Sequence, residues 1–223
     1  MRVTDRLGIS LVWKQRLTWL MEVSMVGIFF VGLYEQELGI IVNTGVGILV
    51  TQLPPVLERD YEVPMDPALT LWITSAVFLH ALGVIGLPGA GENLYRSVPW
   101  WDHMTHSFSA SVVAAVGYAT ARSFDLHDRD VVLPPKFMFV FILMFVLAFG
   151  VFWEVIEFTL GEIARLAGGE SILAQHGIED TMKDLIFNTI GAIIVATWGT
   201  AHLTDVVGAV SDYFDTDRPA GGE

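Results

Sequence analysis

The chain has 223 residues, of which 53% are hydrophobic and 17% are charged, and it contains no cysteine. A soluble domain of this length needs more polar surface, so the composition favours an integral membrane protein. The net charge of −13 argues against nucleic acid as a partner and against a polybasic lipid-binding patch. The missing cysteines exclude disulfides, thiolate metal sites and cysteine nucleophiles.

The excess of acidic over basic residues lies in the connections between apolar segments and near the C-terminus, and lysine is rare. Acidic, lysine-poor surfaces are typical of proteins from halophilic archaea, in which molar salt screens the self-repulsion. We therefore expect adaptation to high salt. Residues 1–210 are predicted to form a single transmembrane domain, and residues 211–223 a disordered, acidic cytoplasmic tail.

Six apolar segments are predicted to be transmembrane helices, at about residues 16–34, 37–57, 68–87, 101–123, 136–161 and 178–203. Each approaches the roughly 20 residues that cross a bilayer. Pro64 and Pro67 precede the third segment, and Pro54 with Pro55 is predicted to end the second early. The predicted fold is all-α: a polytopic six-helix transmembrane bundle.

Lysine and arginine lie mostly at the termini and in the even-numbered connections, whereas the odd-numbered connections hold Arg96 and Arg165. By the positive-inside rule, both termini of this multi-pass plasma-membrane protein are predicted to be cytoplasmic. The connections at about residues 88–100 and 162–177 are then external.

Polar clusters interrupt the fourth and fifth segments near the predicted outer side. Asp102 and His106 are four residues apart, and His103 and His106 are three apart. In the fifth segment, Glu154 and Glu157 are also three residues apart. These spacings place the side chains of each cluster on one helix face.

The third and sixth segments bring further polar residues to the same side. Asp180, Asp184 and Asn188 recur every four residues along the beginning of the sixth segment. His80 lies near the outer end of the third. Ionisable groups at membrane depth are costly unless they meet partners, so we expect one shared, outward-facing polar cavity.

The cavity is predicted to hold a divalent metal. Carboxylates suit Mg²⁺ or Mn²⁺, and imidazoles shift the preference towards Zn²⁺. The candidate metal ligands are His106, Glu157, Asp184 and Asp180. The candidate catalytic residues, which would orient or deprotonate water, are Asp102 and Glu154. The residues expected to line the cavity are His80, His103 and Asn188.

A metal ion at this place would lower the pKa of a bound water molecule and make it a nucleophile. We therefore predict an enzyme that acts on a lipid or lipid-linked envelope substrate in the bilayer. His106 with a carboxylate is an alternative general base without metal. Non-catalytic interpretations stay open as well. Intramembrane acids mark ion paths in carriers, and polar residues also pack helices in assembly partners.

The motifs of the third to sixth segments resemble those of the uncharacterised bacterial inner-membrane proteins typified by YjdF. The matching residues are His80 in LHALG, Asp102 and His106 in WWDHMTHSFSA, Glu157 in FWEVIEF, and Asp180 and Asp184 in DTMKDLIFNTIGA. The order Asp184, Asn188, Gly191 is also similar to VanZ-like proteins, which are associated with glycopeptide resistance. The resemblance covers about residues 70–200 and implies the fold and the place of the site, without a reaction.

Overall fold

A computed structural model describes residues 10–85, 92–128, 130–167, 177–199 and 203–216. The secondary structure of these residues is helical, without β-strands. The helices in chain order are α1 (Leu11–Glu35), α2 (Leu38–Thr51), α3 (Leu53–Tyr61), α4 (Pro67–Gly83), α5 (Leu94–Ser97), α6 (Trp101–His127), α7 (Pro135–Ala167), α8 (Ile178–Ile194) and α9 (Thr204–Thr216). A π-helical turn, Val195–Gly199, extends α8.

Three helical segments among the described residues are long and apolar enough to cross a membrane: Leu11–Glu35, Leu38–Tyr61 and Pro135–Leu166. The helix α4 is apolar but has 17 residues, which is about 25 Å of helix. The helices α6 and α8 carry the polar clusters, and these lower their mean hydropathy. The prediction of six spans therefore goes beyond what length and hydropathy support.

Many large apolar side chains cover the outside of the bundle, while small and polar ones lie inside together with a few large ones such as Met25 and Ile142. On α1, Lys14 and Thr18 are buried, whereas Trp19 is 64% and Phe30 63% exposed. Ala114 of α6 is completely buried. Because lipid solvates apolar side chains and small residues let helices approach, this distribution is typical of a membrane bundle.

The helix α6 lies at the centre and contacts α4, α7, α8 and α9. Its contact with α8 is especially close, because Gly191 lies on the Ser107 backbone, where a Cβ atom would collide with the carbonyl oxygen. The Ser107 hydroxyl donates a hydrogen bond of 2.8 Å to the carbonyl oxygen of Phe187. This contact joins two of the helices that carry polar clusters.

Pro54 and Pro55, in the second predicted segment, follow the helix α2 and lie in the first turn of the next helix, α3. The helix α2 ends at Thr51, and α3 begins at Leu53 with proline in its first turn. Proline is tolerated there because the first amides of a helix have no intrahelical acceptor. The predicted early end is confirmed, but the chain continues as a helix to Tyr61.

The C-terminal part differs from the prediction. The sixth segment was expected to reach residue 203, yet α8 ends at Ile194 and α9 follows the π-helical turn. Residues 211–216, expected to be disordered, belong to α9. The packing of α9 on α6 explains this: Phe214 stacks on Phe124 at 4.8 Å, and Ser123 donates to the carbonyl oxygen of Val207 at 3.1 Å. Residues 217–223 lie outside the described residues.

Candidate metal centre

The polar clusters of α6, α7 and α8 meet at one end of the bundle. The helices α6 and α8 begin there, and α4 and α7 contribute residues from their later halves. Asp184 is 2% exposed. Its carboxylate interacts electrostatically with four others, those of Asp102, Asp180, Glu154 and Glu157. Side chains far apart in sequence thus share one site.

Two histidines face the same oxygen of Asp184. Oδ1 of Asp184 lies 3.8 Å from His103 Nδ1 and also 3.8 Å from His106 Nε2. Nε2 of His106 is 3.5 Å from Asp102 Oδ1. These separations are long for hydrogen bonds. They match the distance between two ligands of one ion, about 3–4 Å when each bond is about 2.1 Å.

Two buried carboxylate oxygens at this site have no hydrogen-bond partner among the described residues. They are Oδ1 of Asp184 and Oε1 of Glu154, and Glu154 is 5% exposed. The other oxygen of Glu154 accepts a hydrogen bond of 2.9 Å from Thr181 Oγ1. An unsatisfied buried acceptor costs about 1–3 kcal/mol, and more when it is charged. A cation bound between these oxygens removes that cost, so the donor set fits a divalent metal.

Two groups of three side chains have ligand atoms within 4.8 Å of one another: Asp102, His103 and Asp184, and His106, Glu154 and Asp184. The predicted ligands His106 and Asp184 are therefore together. Glu157 and Asp180, also predicted as ligands, are in neither group. Glu154 and Asp102, predicted as catalytic residues, and His103, predicted to line the cavity, are members.

Glu157 and Asp180 lie beside these groups. Glu157 is buried, and its Oε1 accepts a hydrogen bond of 2.9 Å from the indole of Trp153, one turn earlier on α7. Asp180 is half-buried and interacts electrostatically with His106. Both residues add negative charge around the candidate ligands.

His80 supports His106 from α4. Its Nδ1 is 2.7 Å from the Tyr95 hydroxyl, and its Nε2 is 2.8 Å from Ser109 Oγ. The His80 and His106 rings meet edge to face, with centroids 6.4 Å apart. Burial, together with nearby carboxylates, raises the pKa of Tyr95, so its hydroxyl stays protonated. With both ring nitrogens engaged, His80 positions its neighbour.

Neighbouring side chains hold His103 and Asn188 in place. The His103 ring stacks on Phe187 with centroids 4.5 Å apart and an angle of 2° between the planes. Asn188 is buried against Gly150 of α7, where a Cβ atom would lie 2.8 Å from Asn188 Nδ2. Asn188 thus closes the contact between α7 and α8 next to the site.

Sequence reasoning missed four residues of the site. Ser109 and Trp153 lie three and four residues from a predicted site residue on the same helix, so helical spacing was an available signal. Thr181 follows Asp180 directly. Tyr95 lies on the short helix α5, outside the apolar segments, and no pattern in the sequence marks it.

A groove between α7 and α8 leads from the outer surface to Glu154. Its cavity volume is about 500 Å³, and its walls include Val155, Phe158 and Met182. These three side chains are 52–55% exposed. The polar side chains that line the groove are Glu154 and Thr181. An apolar molecule in this groove therefore touches one of the candidate metal ligands.

Comparison with known proteins supports the interpretation of the chain as a membrane protein. Residues 16–205 match the family described as "Predicted membrane protein (DUF2238)". An uncharacterised protein of Thermotoga maritima is 28% identical over 143 residues, which are 64% of this chain and 67% of that protein. No solved structure matches the chain. The family match includes every candidate site residue, and the resemblance to VanZ-like proteins stays a prediction.

Proposed function

The chain belongs to the DUF2238 family of predicted membrane proteins, and from this premise we propose that it is a metal-assisted membrane hydrolase. Its substrate would be a lipid or a lipid-linked envelope compound. One observation carries the proposal: buried oxygens of Asp184 and Glu154 lack hydrogen-bond partners among the described residues, beside His106. A divalent cation satisfies these oxygens and offsets the repulsion between the carboxylates.

His106, Glu154 and Asp184 would hold the cation. One imidazole with two carboxylates suits Mn²⁺ or Zn²⁺, and Mg²⁺ less well. When bound, such an ion lowers the pKa of a water ligand towards neutrality and polarises a phosphoryl or carbonyl oxygen. His106, Glu154 and Asp184 would hold this ion beside the phosphorus or carbon centre, where hydrolysis would replace the ester or phosphoanhydride bond with a bond to the water oxygen.

The remaining carboxylates can accept and return the proton that hydrolysis transfers. Asp102 lies 3.5 Å from His106, and Glu157 is held by Trp153. Either one can accept the proton of the attacking water and return it to the leaving oxygen. Of the two, Glu157 is in neither ligand group, so it is an acceptor that is not itself needed to hold an ion.

The groove between α7 and α8 supports a lipid substrate. Its apolar walls suit an acyl or isoprenoid chain, and Glu154 with Thr181 lies where the polar headgroup would begin. A lipid can enter such a groove sideways from the bilayer without leaving the membrane. This route delivers the ester bond to the candidate ligands.

The proposal includes six membrane spans and a site that faces outward. With 27 residues, α6 is about 40 Å long, enough to cross a bilayer. The distribution of lysine and arginine supports cytoplasmic termini in the plasma membrane. Residues 1–210 would then form the transmembrane domain, although the connections predicted to be external are described only in part. Adaptation to high salt, which we inferred from the net charge of −13 and the scarcity of lysine, stays a prediction.

A non-catalytic role is the second candidate. The close approach of Gly191 to Ser107, with the hydrogen bond of Ser107 to Phe187, favours a tightly packed interface between α6 and α8. Polar groups at such an interface can serve packing or ion passage. This alternative predicts a folded protein without stoichiometric metal.

Hydrolysis by the reconstituted protein tests the proposal. Liposomes would contain phosphatidylglycerol and a polyprenyl pyrophosphate, and the release of fatty acid and of phosphate would be measured with Mn²⁺ and after chelation. We expect Mn²⁺-dependent release of one product, lost in Glu154→Gln. Glu162→Gln is the matched control, because Glu162 is on the same helix but pairs with Arg165 at the surface. Metal binding without release of either product contradicts the hydrolase.

A further inference from the structure

The two candidate ligand groups have one member in common, Asp184. We infer that the site holds two divalent cations, bridged by the Asp184 carboxylate. One ion would lie with His106 and Glu154, and the other with Asp102 and His103. This inference rests on the proposed metal-assisted function and specifies the centre on which that function depends.

Each group contains an unpartnered buried atom of its own. Nδ1 of His103 is on a member of one group, Oε1 of Glu154 on a member of the other, and Oδ1 of Asp184 on the shared member; none of these atoms has a hydrogen-bond partner within the described part of the chain. A single cation bound by His106, Glu154 and Asp184 leaves His103 Nδ1 unsatisfied. A second cation removes that remaining cost.

Different neighbouring side chains orient the rings of His103 and His106. His103 and His106 lie on adjacent turns of one face of α6, and each approaches Asp184 Oδ1 to 3.8 Å. The ring of His103 is held by Phe187, and that of His106 by His80. A carboxylate has two oxygens and about four lone-pair sites, so it can bridge two ions, which lie about 3.5–4 Å apart in two-metal sites.

Charge also favours two ions. Asp184 interacts with four neighbouring carboxylates, so five negative charges are available here when all are ionised. The nearest lysine in the sequence, Lys183, is exposed; it pairs with Glu179 at 2.7 Å and interacts more weakly with Asp180 and Asp184. One divalent ion offsets two of the five charges, whereas two ions offset four. The second ion therefore removes most of the repulsion that the first leaves at membrane depth.

Mn²⁺ titration of the full chain in detergent tests this inference. After chelator treatment, bound manganese would be counted by mass spectrometry, and the electron paramagnetic resonance spectrum recorded. We expect two ions per chain and a spin-coupled spectrum, since the ions share a carboxylate. His103→Gln and Glu154→Gln should each retain one uncoupled ion. His127→Gln, a control on the same helix but beside Phe214 of α9, should retain two.

The outcomes separate this inference from the proposed function. One uncoupled ion per wild-type chain overturns the two-ion centre but leaves metal-assisted hydrolysis standing. No bound ion overturns both. Two coupled ions that persist in His103→Gln also contradict the assignment. The wild-type spectrum decides the question even when a variant fails to fold.

Discussion

Oδ1 of Asp184 on α8 lies 3.8 Å from Nε2 of His106 on α6, in the same helix contact that brings Gly191 onto the Ser107 backbone. Neither atom has a conventional hydrogen bond to the other at this distance. The site therefore depends on how closely α6 and α8 approach. It also depends on what lies between their polar side chains.

The first prediction concerns that approach. Gly191→Ala should lower the free energy of unfolding by about 1–3 kcal/mol, because the added methyl group meets the Ser107 backbone, which cannot move aside like a side chain. Thermal unfolding in detergent measures the loss. Gly27→Ala on α1 is the control, since no other helix of the described chain comes within 4 Å of the place its methyl group would take. Equal stability of the two variants would contradict the close contact.

The second prediction concerns the cost of the carboxylates without metal. Asp184→Asn should unfold at a higher temperature than the wild type in chelator, because it removes one of several mutually repelling charges. With metal the order should reverse. Saturation at about 100 times Kd stabilises the wild type by about 2.7 kcal/mol, and the variant lacks this gain. A variant less stable than the wild type in chelator would favour a packing role.

The third prediction concerns Glu157 and its indole partner. Trp153→Phe removes the 2.9 Å hydrogen bond to Glu157, which we expect to cost about 1 kcal/mol of stability. Hydrolysis should fall while the number of bound ions stays the same, because Glu157 is in neither ligand group. Trp100→Phe is the control, since Trp100 is 58% exposed at the same end of the bundle. Loss of metal in Trp153→Phe would place Glu157 among the ligands.

The fourth prediction concerns the groove. Met182→Trp should fill the apolar space beside Glu154 and slow hydrolysis of a long-chain lipid several-fold. Hydrolysis of a water-soluble substrate with the same type of bond, p-nitrophenyl acetate or p-nitrophenyl phosphate, should be unaffected. Met144→Trp is matched in exposure, 55% against 52%, but lies outside the groove. Equal effects of both variants on the lipid would contradict a lipid path between α7 and α8.

The fifth prediction concerns orientation, and a chain without cysteine permits a clean test. A membrane-impermeant maleimide should label Ser97→Cys in intact cells, because this exposed residue lies near the beginning of α6. Asp130→Cys, at the opposite end of α6, should react only after the cells are permeabilised. The reverse pattern would place the site on the cytoplasmic side.

Helical spacing was enough to place the members of each polar cluster on one helix face, because side chains three and four residues apart share a face. It could not distinguish Glu154 from Glu157, which lie on the same face. Trp153 and Thr181 make that distinction through their hydrogen bonds to the two carboxylates. These contacts depend on rotamers and on a neighbouring helix, neither of which is visible in the sequence.

The same limit applies to the fold. Proline marked the end of α2, but a proline at a break begins a helix as readily as it follows one. The tail prediction used charge alone and overlooked Phe214, whose ring stacks on Phe124 and docks α9. Of the six apolar segments predicted from local composition, three correspond, in the residues that the structure describes, to helical segments that are long and apolar enough to cross a membrane. Composition does not show the tertiary contacts that extend or interrupt these segments.

X-ray absorption by zinc bound to the purified chain tests the central claim most directly. We expect a first shell of nitrogen and oxygen at about 2.0–2.2 Å, with imidazole scattering that weakens in His106→Gln and stays unchanged in His127→Gln. A zinc spectrum without imidazole scattering, or one that His106→Gln leaves unaltered, would contradict a metal held between His106 and Asp184.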